Sequence, residues 1–100
     1  MTPEGRVKRK VDRILKPYIE SGHVYKFMPV QSGYGKKTLD YLLGVCGKFV
    51  AIETKKENAV PTPLQWKHIR EIDAAGGEWF VIAGVDDTKE LEQYLASACQ

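Results

Sequence analysis

Cysteine and histidine are scarce in this chain, two of each in 100 residues. Cys46 and Cys99 stand far apart, with no CxxC pair and no histidine pair nearby. A structural zinc site needs about four ligands at close spacing, so that class is excluded. The two thiols are expected to be reduced, as in a cytosol-like compartment. No apolar run approaches the roughly 18 residues of a membrane span, and the charged, Pro-containing start does not read as a signal peptide. Nine glycines and five prolines are too few for a collagen-like or low-complexity chain. What is present is 43% hydrophobic and 28% charged residues, enough to bury a core, and one domain over residues 1–100 is expected. A domain of this length buries roughly 60–65% of its unfolded surface, so pairing with a second copy would supplement a modest core.

Cations are nearly missing from one end. Residues 71–100 hold 1 Lys/Arg against 7 Asp/Glu, net −6, whereas residues 1–70 hold 14 against 6, net +8. The overall +2 therefore hides a polyanion-facing side and a solvated acidic side, and nucleic acid is the partner that this charge favours.

Periodicity outlines the elements. Thr2 followed by Pro3 is a helix start, and Val7, Val11, Ile14, Leu15 and Tyr18 form a stripe of 3.6-residue period. Pro17 is expected to end or kink this helix, and Ser21-Gly22 to close it. Val24 to Met28 reads as a strand stopped by Pro29. Leu39 to Leu43 and Lys48 to Lys55 read as a β-hairpin turning at Cys46-Gly47. Thr62-Pro63 repeats the helix start, with Leu64, Ile69, Ile72 and Ala75 apolar and Gly76-Gly77 as the stop. Trp79 to Ala83 is a short buried strand. Asp87-Thr88-Lys89-Glu90 offers a capping box for a last helix carrying Leu91, Tyr94, Leu95 and Ala98 inward. The order α-β-β-β-α-β-α implies a small mixed sheet with helices packed on it, and a parallel, right-handed crossover from strand 48–55 to strand 79–83.

The hairpin gathers chemistry. In residues 48–55, alternation puts Phe49, Ala51, Glu53 and Lys55 on one face and Val50, Ile52 and Thr54 on the other. With the turn centred on Cys46-Gly47, paired residue numbers sum to 93, which sets Asp40 opposite Glu53. Opposed side chains of an antiparallel pair share a face, with Cβ atoms roughly 4.5–5.5 Å apart. Two carboxylates so placed repel unless a cation lies between them. Lys55 supplies part of that charge, and a divalent ion would supply more. Oxygen ligands without Cys or His suit Mg²⁺ or Mn²⁺. Such an ion polarises a phosphodiester and acidifies a bound water, while Lys55 could orient that water or stabilise charge at phosphorus. A cross-strand Asp-Lys-Glu salt-bridge cluster on an exposed face is the plainer alternative.

Two further polar residues lie on apolar helix stripes. Glu4 precedes Val7 and Val11, and Gln65 precedes Ile69 and Ile72. Glu4 also suits a first helical turn, and Gln65 also suits a capping box with Thr62. The loop Gly33-Tyr34-Gly35-Lys36-Lys37 could turn N–H groups and ammonium groups towards a phosphate. Lys8, Arg9, Lys10, Arg13 and Lys16 form either a solvated helix face or a track for a phosphate backbone. His23 and His68 lack partners at ligand spacing and are read as partly exposed. Of the aromatic residues that could stack on bases, Tyr34 is a better candidate than Trp66 or Trp79, the last being expected in the core.

Taken together, Thr2-Pro3-Glu4-Gly5, Gly33-Tyr34-Gly35, Leu39-Asp40, Ile52-Glu53-Thr54-Lys55-Lys56, Thr62-Pro63-Leu64-Gln65 and Ala75-Gly76-Gly77 resemble the VRR-NUC family, a branch of the PD-(D/E)xK nuclease superfamily. The resemblance runs from about Thr2 to Ile82. It implies an α/β restriction-endonuclease-like fold, an αβββαβ core with a C-terminal helix, and hydrolysis of DNA phosphodiesters with Mg²⁺ or Mn²⁺. By that resemblance Asp40, Glu53 and the Thr54 carbonyl would hold the metal. Glu4 would reach it directly or through water, Lys55 would be the motif lysine, and Gln65 would lie near the scissile phosphate. Tyr34, Gly35, Lys36, Lys37 and Lys56 would contact DNA. The superfamily often has Pro before the aspartate; Leu39 stands there instead. Small stand-alone members look like phage or bacterial proteins of the cytoplasm, and some resemble Holliday junction resolvases, which implies branched DNA and a homodimer. A non-catalytic DNA-binding module on the same fold, and a small dimerising interaction domain, are the competing readings.

Overall fold

The computed structural model describes residues 1–30 and 38–100. The DNA contacts expected of Tyr34, Gly35, Lys36 and Lys37 lie outside the described residues. The first helix, α1, spans Pro3–Glu20; the Thr2 side chain caps it by accepting the Gly5 N–H, and Pro3 opens it. Pro17 does not end it, and the helix continues for three more residues to its Ser21 cap. Val7, Val11 and Leu15 are buried along one stripe, and full burial of such a side chain contributes about 1.5–3 kcal/mol.

Four strands follow in two groups. β1 (Val24–Phe27), β2 (Tyr41–Val45) and β3 (Lys48–Lys55) form an antiparallel meander, and β4 (Glu78–Ala83) joins β3 in parallel after helix α2 (Pro63–Ala74). The sheet order is β1-β2-β3-β4. The hairpin turn is the two-residue kind: Cys46 and Gly47 both have positive φ, 47° and 84°, as a turn matched to strand twist requires. The register Val45↔Lys48 through Tyr41↔Ile52 keeps paired numbers at 93, as expected.

Helices cover both faces. Val7, Val11 and Leu15 of α1 pack with Tyr41, Leu43, Val45, Val50, Ile52 and Ile82, and with Leu91 and Leu95 of the last helix, α3 (Lys89–Ala98). On the other face Ile69 of α2 packs with Leu39 and Ala51, with Trp66, Ile72 and Trp79 around them. Period-two alternation along β3 thus sends Val50 and Ile52 to the α1/α3 side, and Ala51 and Glu53 to the α2 side.

Several expectations are corrected. Cys46 and Cys99 are not free thiols: the hairpin turn and the end of α3 meet with Cα atoms 5.6 Å apart, and the two form a disulfide. A sequence separation of 53 residues concealed the pair. Thr88 caps α3 by position only; its side chain makes no cap bond and reaches Glu92 instead, while Asp87 accepts the Ala83 N–H. Trp79 is half-buried, edge-to-face on Trp66 with its indole N–H given to Asp73, because β4 is an edge strand. His68, expected to be partly exposed, is buried at 8% exposure beside Glu71, since α2 turns that side inward. No helix among the described residues is long and apolar enough to cross a membrane.

The disulfide closes a long loop, and chain entropy alone gives such a closure about 4 kcal/mol. Reduction by a phosphine should therefore lower the Tm of the oxidised protein by about 10 °C or more, and a Cys46→Ser, Cys99→Ser double variant should be insensitive to the reductant. Two titratable thiols in the native protein before reduction would contradict the pairing.

Candidate active site

The site lies where β3 ends and β2 begins. Glu53 follows Ala51 on the α2 side of β3 and is 2% exposed. A carboxylate at that depth needs partners, and each oxygen has them. Oε1 accepts the Asp40 main-chain N–H at 3.1 Å; Oε2 accepts Gln65 Nε2 at 2.7 Å and lies 3.5 Å from Lys55 Nζ. Asp40 sits one residue before β2, just beyond the paired register, which ends at Tyr41↔Ile52, and it meets Glu53 through its main-chain N–H. Its Oδ2 accepts from the Thr54 N–H at 2.9 Å and the Thr54 hydroxyl at 2.6 Å. Its Oδ1 faces Lys8 Nζ of α1 at 3.8 Å.

Burial, reinforced by the neighbouring Asp40 charge, pushes the Glu53 carboxyl up to about 7, against the opposing pull of Lys55 and the Asp40 N–H. The pair of carboxylates is therefore short of positive charge. The plainer alternative of a salt-bridge cluster is met in part, since Lys55 pairs with Glu53 and Lys8 with Asp40, but Glu53 is buried and not on an exposed face. Two neighbouring carboxylates, one oxygen of which meets only a distant ammonium among the described residues, could take up a small hard cation that also keeps waters and a substrate phosphate. Among the described residues no group of three His, Cys, Asp or Glu side chains is placed to hold a metal ion, so the structure does not bring Glu4 together with Asp40 and Glu53 as a third ligand side chain.

Gln65 resolves an alternative by doing both things. Its N–H and Oε1 complete the capping box with Thr62, at 3.2 and 2.9 Å, while its Nε2 holds Glu53. The cap thus fixes the amide that orients the carboxylate. Glu4 is half-buried and shares a cleft of about 400 Å³ with Thr2, Pro3, Lys55, Lys56 and Ala59. It lines the approach to Lys55. Lys56 is exposed at the rim of that cleft.

Lys8 was not singled out by sequence reasoning beyond its place in the basic helix face. The available signal was its spacing: it follows Glu4 by four residues, and so lies one turn along the same side of α1. Tyr41 fixes that turn. This fully buried side chain places its hydroxyl 2.8 Å from Asp12 Oδ1 and 3.2 Å from the Lys8 carbonyl oxygen, pinning α1 to β2 one residue from Asp40.

No family model matches the sequence, and no curated protein matches it. Among solved structures, a VRR_NUC domain superposes with a TM-score of 0.72, covering 94% of this chain and 98% of that one, at 22% sequence identity. At that identity the likeness is one of fold. This chain has the α/β fold of the VRR_NUC nuclease domain, as its motifs implied.

The raised Glu53 carboxyl has a sign. The folded state holds its proton more tightly than the unfolded chain does. The stability this group contributes is therefore fully present below about pH 4.5 and is lost as pH rises through about 7, by on the order of 3 kcal/mol without metal. Mg²⁺ should restore much of that loss at pH 8 and little at pH 5. Thermal melts in Mg²⁺ and in EDTA at both pH values check this; an equal Mg²⁺ effect at the two would contradict it.

Proposed function

We propose that this chain is a metal-dependent endodeoxyribonuclease that hydrolyses phosphodiester bonds in branched DNA, in the manner of a Holliday junction resolvase. The observation that carries the reading is the buried Glu53 carboxylate at the end of β3, held by the Asp40 main-chain N–H and facing Lys55, with the Asp40 charge close enough to raise its pKa. The shared fold of a VRR_NUC domain supports it. Asp40, Glu53 and the Thr54 carbonyl would hold Mg²⁺ or Mn²⁺, with Glu4 reaching the ion directly or through water. A bound ion of this kind polarises the phosphodiester and lowers the pKa of water.

The chain's own groups do the rest. Lys55 presents its ammonium beside Glu53, where it can orient the attacking water or stabilise charge at phosphorus. Gln65, locked by the capping box, keeps Glu53 turned towards Asp40 and lies near the scissile phosphate. Lys56 and the segment Tyr34, Gly35, Lys36 and Lys37 would follow the DNA strand, joined by the basic face of α1. A homodimer would bring two such sites to the two sides of a symmetric junction. The setting in this reading is the cytoplasm of a bacterial or phage-infected cell, where the Cys46–Cys99 bridge would meet a reducing thiol pool.

Cleavage of labelled duplex, flap, fork and four-way junction DNA with Mg²⁺, Mn²⁺ or EDTA tests the reading. Wild-type protein should cut a branched substrate only with the cation. Asp40→Asn and Glu53→Gln should abolish cutting with the circular dichroism spectrum retained. Lys55→Ala should lower turnover by about 100-fold or more and still bind metal. Full activity in either carboxylate variant would remove the assigned site, and salt-sensitive binding of every substrate without cutting would make the chain a DNA-binding module.

A further inference from the structure

Among the described residues each carboxylate faces one ammonium. Lys55 stands against Glu53 at 3.5 Å, and Lys8 against Asp40 Oδ1 at 3.8 Å. The two contacts arise differently. Lys55 is the β3 neighbour of Glu53 on the same sheet face. Lys8 comes from α1 and approaches from the opposite layer, held there by the Tyr41 hydroxyl beneath its own carbonyl. Asp40 Oδ2 is taken twice by Thr54, so Oδ1 is its open oxygen, and Lys8 is the group that faces it.

We propose that Lys8 is a phosphate-binding residue held in reserve by Asp40: its ammonium neutralises Asp40 until a divalent cation takes up the carboxylates, and then turns to the phosphate of the bound strand. This rests on the reading of Asp40 and Glu53 as ligands of one cation. The charge balance carries it. Among the described residues two ammonium groups face the two carboxylates, and a divalent cation taken up by the carboxylates leaves an excess of positive charge at the point where phosphates arrive. Lys8 is the mobile part of that excess. Its side chain is 37% exposed, against 15% for Lys55, and a long lysine stem can swing its head while the helix turn stays fixed. Cation and DNA should then bind cooperatively, each strengthening the other by the same factor.

Binding measurements test this without turnover, because Ca²⁺ can occupy an oxygen-ligand site. The affinity of a fluorescein-labelled four-way junction is measured with Ca²⁺ and with EDTA, and the affinity of Ca²⁺ alone by calorimetry. Ca²⁺ should tighten junction binding of the wild type by about tenfold. In Lys8→Gln the gain should fall to about threefold or less, Lys8→Arg should recover most of it, and Ca²⁺ alone should bind Lys8→Gln more tightly than wild type. Lys89→Gln, on the acidic side, controls for loss of one charge. An equal Ca²⁺-dependent gain in wild type and Lys8→Gln overturns the role of Lys8 while leaving the metal site standing. Failure of the wild type to bind Ca²⁺ overturns both.

Discussion

Two negative charges set against each other across a hairpin are the constraint on which this site depends. The type of turn decides it. A two-residue connection at Cys46-Gly47 sets the register that ends at Tyr41↔Ile52 and brings Asp40 beside Glu53, which takes the Asp40 main-chain N–H while the Asp40 carboxylate turns to Thr54 and Lys8. With the Asp40 charge beside Glu53, the fold must compensate the repulsion and the loss of water around Glu53. The surroundings reflect that demand: two main-chain N–H groups, one hydroxyl, one amide and two ammonium groups converge on four carboxylate oxygens. Even so, Glu53 remains poised to take a proton near neutral pH.

The three layers of the fold each supply part of that compensation. The sheet contributes the opposed carboxylates, Thr54 and Lys55. The α2 layer contributes Gln65 through a helix cap, so a local start signal at Thr62-Pro63 also fixes the geometry of a side chain one layer away. The α1 layer contributes Lys8 through the Tyr41 anchor. Removing either helix layer would take one partner from a carboxylate: Gln65 from Glu53, or Lys8 from Asp40. This is why so small a chain can hold a buried glutamate: buried polar groups are tolerated when the surrounding network satisfies them.

Much of this could be read from residue order alone, because it depended on local rules. Helix starts at Thr2-Pro3 and Thr62-Pro63, the stop at Gly76-Gly77, and the hairpin register are all short-range consequences of capping and turn chemistry, and they lie where the spacing put them. The strand boundaries were less legible: β2 begins at Tyr41 and not at Leu39, because Asp40 spends its N–H on Glu53 and leaves the ladder. Features that depend on distant packing were hidden. Nothing near Cys46 announced Cys99, and the burial of His68 follows from how α2 lies on the sheet. The reach of Lys8 to Asp40 needs the rotation of α1, which the apolar stripe constrains only to within a turn. At the last helix the expected capping box failed because Asp87 satisfies a β4 main-chain group instead.

The claim that two opposed carboxylates share one hard cation is tested most directly by crystals of the protein grown with Mn²⁺, with anomalous difference maps collected near the manganese edge. The account predicts a single strong peak between the carboxylates of Asp40 and Glu53, with Lys8 turned away from Asp40, and loss of that peak in Asp40→Asn. A map without a peak there at saturating Mn²⁺, or with the manganese bound only elsewhere, would contradict it.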